Sequence, residues 1–176
     1  MLQQINRLRL FPLTSDQLLL LAKSRNELEK HIGLSMSNLE LNADEAFINE
    51  LTSFINHEFM LMVKSNEANF EWYTHWLIIH DELNLTIGGI GMNGLPDNDG
   101  QVMIGYYIDK KFEGKGYGTE AVKQLLNWMK STRTLNLKSV IADTLVTGLG
   151  SQKVLLKSGF EFAGNVDEGF RWQYNF

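Results

Sequence analysis

The chain has 176 residues, 44% hydrophobic and 21% charged, the make-up of one globular domain burying roughly 70% of its unfolded surface. Sixteen basic against 21 acidic residues give a net charge of −5, which speaks against a nucleic-acid partner and suits a cationic one. The absence of cysteine excludes disulfide scaffolds, thiolate zinc sites and cysteine nucleophiles, and with only 4 His no metal site is expected. No apolar run nears the length of a membrane span, and the opening Met1 to Arg7 lacks a signal-peptide core. A cytoplasmic protein without membrane contact is the expectation, with monomer and homodimer both open.

Arg7 to Leu13 alternates as a strand ending near Pro12. Thr14-Ser15-Asp16-Gln17 has the spacing of a capping box and opens a Leu-rich helix to about His31. Asn42-Ala43-Asp44-Glu45 starts a second helix, with Phe47, Leu51, Phe54 and Ile55 on one face. Three strands follow, Phe70 to His80, Leu85 to Met92 and Gln101 to Asp109, as an antiparallel meander. A helix from Thr119 to about Ser131 carries Ala121, Val122, Leu125, Leu126 and Met129 on one stripe. Ser139 to Thr144, Gly159 to Ala163 and Phe170 to Phe176 read as strands, with a short helix over Gly150 to Ser158. The order is β-αα-βββ-α-β-α-ββ. It describes one α/β (α+β) domain over residues 1–176, a mixed, mostly antiparallel sheet of about seven strands with helices on both faces.

Nine of the 15 Gly lie between Gly88 and Gly118, and seven of them form two groups. Gly89-Ile90-Gly91-Met92-Asn93-Gly94 matches a dinucleotide fingerprint letter by letter but runs into the turn Leu95-Pro96-Asp97, not into a helix. Those glycines are read as serving close packing in a strand. Gly114-Lys115-Gly116-Tyr117-Gly118-Thr119 instead follows a strand and enters a helix. A helix start offers free N–H groups and about half a positive charge, and alternating Gly clears the approach of a phosphate. Lys115 adds a formal charge, so the loop suits a pyrophosphate.

Ile104-Gly105-Tyr106 with Gly-Lys-Gly-Tyr-Gly-Thr-Glu-Ala from Gly114 to Ala121 resembles the GNAT superfamily of N-acetyltransferases. The resemblance is greatest to the branch of ribosomal-protein N-terminal acetyltransferases. Ser151-Gln152-Lys153-Val154-Leu155-Leu156-Lys157-Ser158-Gly159-Phe160 and Arg7-Leu8-Arg9-Leu10 support it, so it spans nearly the whole chain. It implies acetyl-CoA as co-substrate and an amine acceptor, a protein N-terminus or a small molecule. The Gly114, Lys115, Gly116, Tyr117, Gly118 and Thr119 loop would hold the pyrophosphate. Tyr106, Tyr107 and Ile108 would pair with pantetheine, and Ser151 would be the catalytic partner of the leaving thiolate. Ser151 reads equally as the cap of its own helix.

Three departures stand out: Glu113 where the family often has Gln or Arg, Gly148 where it often has Asn, and Met103 where it often has Glu. Amine attack on a thioester needs a neutral amine, a polarised carbonyl and a protonated thiolate. The Ile108 backbone N–H is a candidate for the carbonyl, and Asp143, Glu82 and Asp97 are candidates for the base. The aromatics Phe54, Phe59, Trp72 and Trp76 are read as core ahead of an acceptor pocket. With the base unassigned, a non-catalytic CoA-binding module on the same fold is the alternative.

Overall fold

The computed structural model describes residues 6–132 and 136–176, with the side chains of Phe47, Asn56 and His57 outside the description. Its strands are β1 (Leu8–Pro12), β2 (His75–His80), β3 (Leu85–Met92), β4 (Gln101–Ile108), β5 (Ser139–Leu145), β6 (Glu161–Val166) and β7 (Gly169–Asn175). They form one seven-stranded sheet in the order β1-β2-β3-β4-β5-β7-β6. Every neighbouring pair is antiparallel except β4 with β5.

The helices divide between the faces. α1 (Ser15–Lys23), α2 (Arg25–His31), α3 (Glu45–Ser53) and α4 (Phe59–Ser65) precede β2, and α5 (Tyr117–Ser131) and α6 (Leu149–Ser158) lie on either side of β5 in the chain. Strand alternation sends Leu8, Trp76, Ile78, Ile90 and Ile104 to one core, with Ala121, Val122, Leu125 and Met129 of α5 and Leu155 of α6. Leu77 and Ile79 point the other way, to Leu18 and Leu21 of α1, Leu28 of α2 and Phe59 and Val63 of α4.

Several elements differ from the sequence reading. The capping box forms, with Thr14 Oγ1 accepting from Gln17 N–H and Gln17 Oε1 from Thr14 N–H. The helix it opens does not reach His31 unbroken, because extended Ser24 closes α1 and caps α2. The second helix becomes α3, a π-helical turn over Phe54–Glu58, and α4. Ile55 is buried there, Leu51 half-buried and Phe54 exposed. The strand placed over Phe70 to His80 begins only at His75, after a 3₁₀ segment over Glu67–Trp72. The Trp76 indole N–H donates to the Glu71 carbonyl (2.8 Å) and fastens that turn. Trp72 and Trp76 both pack on Trp128 of α5, with centroids 5.1 and 4.8 Å away, while Phe59 lies in the opposite core. The four aromatics therefore do not line one pocket.

The Gly88 to Gly94 group serves packing, as read. A Cβ on Gly88 would collide with the Tyr107 carbonyl oxygen. On Gly89 it would enter the His75 ring and stand 2.7 Å from Tyr107 Cζ. These two rings stack across Gly89, centroids 5.7 Å apart and planes 10° from parallel. Gly89→Ala should therefore destabilise the fold by about 1–3 kcal/mol, the usual range for overpacking, read from urea denaturation.

Candidate functional site

Strand β4 is fully paired on one side only. Its β3 register runs from Met92↔Ile104 to Gly88↔Ile108, whereas its β5 register covers only Gln101↔Ser139 to Met103↔Ile141. From Ile104 to Ile108 the strand has no neighbour on the β5 side, and the two strands form a fork. Asp109 N–H bonds to the Ile87 carbonyl (2.7 Å), and the Met103 carbonyl accepts from Asn93 N–H (3.1 Å), so the odd residues of β4 face β3. By the two-residue period of a strand, Ile104, Tyr106 and Ile108 direct their N–H and C=O into the fork. Tyr107 sends its main chain to β3 and only its side chain to the α1–α4 face. Of the three residues predicted to offer a backbone edge, Tyr106 and Ile108 have the right polarity and Tyr107 does not.

The C-terminal end of β4 leads through Asp109, whose side chain accepts from Lys111 N–H (2.8 Å), to the glycine loop. Gly114 (φ 72°) and Gly116 (φ 85°) are left-handed, the region where a Cβ is disfavoured. Gly118 is buried, and a Cβ there would stand 3.1 Å from Val154 of α6. Helix α5 starts two residues earlier than predicted, at Tyr117, capped by Gly116 with no side chain on its N–H groups. Its first main-chain bond is Glu120 N–H to the Gly116 carbonyl (3.0 Å), so the N–H groups of Tyr117, Gly118 and Thr119 precede the ladder.

The side chains of this loop are otherwise engaged. Lys115 Nζ folds back to the Lys111 carbonyl (2.8 Å), 5.3 Å from the Phe112 ring centre. Tyr117 Oη meets His80 Nε2 (3.0 Å). Glu113 is exposed and accepts from the Asn42 amide (3.5 Å), turned outward. Arg7, part of the quoted Arg-Leu-Arg-Leu run but given no role, proves central. Its Nε (2.9 Å), Nη2 (2.9 Å) and main-chain N–H (2.7 Å) all engage the Glu120 carboxylate. Its Nη1 reaches the Lys115 carbonyl (3.3 Å), and the guanidinium lies 4.3 Å from the Tyr117 ring centre. Arg7 and Glu120 are 113 positions apart, so no local spacing announces the contact.

Across the fork, Ser151 is the third residue of α6 and does not cap it; that position belongs to Gly148, which offers no side chain. Ser151 is half-buried, and its carbonyl accepts from Tyr106 Oη (3.0 Å), which ties β4 to α6. Burial holds the Tyr106 phenol protonated, well above its usual range. Among the candidate bases, only Asp143 stands on β5 just past the fork, and both its oxygens are taken by Arg171 (2.8 and 2.7 Å). Asp97 caps the β3–β4 turn through the N–H groups of Asp99 and Gln101 (both 2.9 Å), and Glu82 lies in the β2–β3 turn. Met103 is half-buried, and its N–H donates to Asn93 Oδ1 (2.9 Å).

On the α1–α4 face, buried His75 shares a hydrogen bond with Tyr107 Oη (3.1 Å). Burial first, and the Arg25 cation second, push its pKa down from 6.5 to about 3. Burial likewise raises the Tyr107 phenol, opposed by the nearby Arg25 cation.

The acetyltransferase (GNAT) domain model matches residues 7–161. The chain belongs to the GNAT family. It is an acetyltransferase by that membership and by its likeness to named relatives. It is 30% identical to the uncharacterized N-acetyltransferase YjdG of Bacillus subtilis over 98% of this chain and 97% of that protein. A ribosomal-protein-S5-alanine acetyltransferase from Vibrio fischeri shares the fold with TM-score 0.65 at 17% identity, covering 98% of this chain and 94% of the other. The aminoglycoside enzyme AAC(6')-Ib, solved with ribostamycin and coenzyme A, gives TM-score 0.65 at 18% identity over 97% and 94%. Among the described residues of this GNAT chain, no group of three or more His, Asp or Glu is placed to hold a metal ion. None of their helices is long and apolar enough to cross a membrane.

The buried histidine makes stability pH-dependent. Folded His75 stays neutral to about pH 3, while the unfolded chain protonates it near 6.5, so between these values the unfolded state binds the extra proton. The contribution is complete above about 6.5 and is lost as pH falls towards 3, with a slope of at most about 1.4 kcal/mol per unit. Urea denaturation at pH 7.5, 6.0 and 5.0 should show His75→Asn losing less stability over this range than the wild type.

Proposed function

We propose that the protein transfers the acetyl group of acetyl-CoA to a primary amine by direct attack in a ternary complex. One observation carries this reading. The unpaired side of β4 leads, through a single 3₁₀ turn over Lys110–Phe112, to a helix start with no side-chain cap that two left-handed glycines precede. A pantetheine arm that ends in a pyrophosphate needs those two kinds of partner, a strand edge and a cluster of N–H donors.

In this reading the N–H groups of Tyr117, Gly118 and Thr119 hold the pyrophosphate, with Gly114 and Gly116 keeping its approach clear. Lys115 supplies charge from its place over the loop. Arg7 neutralises Glu120, which would otherwise set a carboxylate one turn from the phosphates. Tyr106 and Ile108 offer main-chain groups to the pantetheine amides, and an N–H on this edge polarises the thioester carbonyl. The amine lone pair attacks that carbon, the C–S bond breaks, and the thiolate takes a proton. Ser151, in the first turn of α6 on the far lip, is placed to give it. Both Asp143 oxygens are occupied by Arg171, so water takes the proton of the attacking amine.

Gly116→Asp should abolish acetyl-CoA binding in calorimetry by placing charge and strain at the helix start; unchanged binding would sink the assignment of this loop. Ser151→Ala should lower kcat by about 10- to 100-fold with the acetyl-CoA dissociation constant held. Equal loss of cofactor affinity would make Ser151 a binding residue instead.

A further inference from the structure

Arg25 opens α2 and reaches the sheet beside Tyr107 and His75. Its Nη1 is buried without a hydrogen-bond partner, one of two such side-chain atoms among the described residues, the other being Thr86 Oγ1. Buried guanidinium groups are ordinarily paired, because an uncompensated charge is costly to desolvate. Arg25 enters none of the ion pairs formed among the described residues. Glu29, one turn further along α2 and fully buried, is already taken by the N–H and hydroxyl of Ser37.

Tyr107 Oη and His75 Nε2 are committed to one another by a shared hydrogen bond (3.1 Å). Arginine only donates, and the Arg25 charge lies close enough to both groups to favour the neutral imidazole and the ionised phenol. His75 remains neutral at any ordinary pH, and Arg25 is the formal charge of the trio.

The trio lies on the acceptor side of the proposed slot. Tyr107 projects to the α1–α4 face, opposite α5 and α6. Gly105 is two residues back on the same face, about 7 Å along the strand, where a Cβ would meet nothing within 4 Å. Gly105 is exposed, so an amine approaching the fork over it would come within two residues of Tyr107.

We infer that Arg25 receives a carboxylate of the acceptor, so that the favoured substrates are amines that also carry a carboxylate. The inference rests on the proposed acetyl transfer, and Arg25 acts as a specificity residue within it. A carboxylate supplies the missing acceptor and the missing counter-charge together, which a neutral carbonyl does not. A site built to bond a group in this way discriminates strongly against the analogue that lacks it.

The test compares matched pairs with the purified protein, each an amino acid and its carboxamide, such as β-alanine and β-alaninamide, by release of free thiol from acetyl-CoA. The expected result is a kcat/KM for the acid about tenfold or more above that of the amide. The amide has the less basic amine and is more often neutral at the assay pH, so simple reactivity runs the other way. Arg25→Gln should bring the ratio close to one and Arg25→Lys should restore part of it, with acetyl-CoA affinity by calorimetry unchanged in both. Equal or better turnover of the amides by the wild type overturns the inference, as does a ratio that survives in Arg25→Gln or acetyl-CoA binding with no transfer to either member of any pair. Acetyl-CoA binding and transfer to amines without preference for the acid would overturn only this step. Absence of acetyl-CoA binding would overturn the proposed function beneath it.

Discussion

Strand β4 is bonded along its β3 side and abandoned after three residues on its β5 side. A strand edge inside a sheet ordinarily finds another strand, because unpaired N–H and C=O groups are costly once sheltered. Here the sheet keeps the edge open by making β4 and β5 its one parallel pair. The connection carries α5 across one face, and β5 then bends towards β7, its partner over its full length. Helices α5 and α6 fill that face, and α1, α2 and α4 cover the opposite one. The placement of the glycine loop, of Ser151 and of Tyr106 follows from where that pairing stops.

The two glycine groups answer different demands of the same strand pair. Gly88 and Gly89 let β3 and β4 carry two rings on one face without a side chain between them. Gly114 and Gly116 take a backbone conformation that puts N–H groups at the mouth of a helix. The histidines divide in the same way. His75 and His80 are five apart on β2 and face opposite sides, His75 under the α1–α4 layer and His80 against Tyr117 of the loop. Each meets a tyrosine, and at His75 burial first and the Arg25 cation second suppress the charged form.

Electrostatics closes the loop end of the slot. Glu120 in the first turn of α5 complements the helix dipole. Arg7 neutralises it, with Nε and Nη2 on one carboxylate oxygen and its main-chain N–H on the other, and ties the residue before β1 to the loop through the Lys115 carbonyl. Gln124 adds a bond to the Leu8 carbonyl, so β1 is held to α5 as well as to β2.

Much of this protein was legible along the chain because its signals are local. The capping box at Thr14, the buried stripe of α5, the turn at Asp97 and the packing glycines of β3 depend on residues within a few positions of one another, and each formed as read; the second glycine group opens a helix, as its spacing implied. The two sequence blocks also placed the family. Where local pattern lacked a deciding residue, the reading ran on too smoothly: it missed the break at Ser24, the π-helical turn at Phe54 and the 3₁₀ segment before His75. At Ser24 the break is an extended residue whose side chain caps α2, and before His75 the turn is fastened by the Trp76 indole on the Glu71 carbonyl. The site divided along the same line. The loop and the strand leading to it were visible, but the polarity of Tyr107, the hold of Arg7 on Glu120, the occupation of Asp143 and the unpartnered Arg25 were not. Those belong to groups brought together from distant parts of the chain: the register of β4 on β3 decides Tyr107, that of β5 on β7 sets Arg171 opposite Asp143, and the docking of α5 beside β1 brings Glu120 to Arg7.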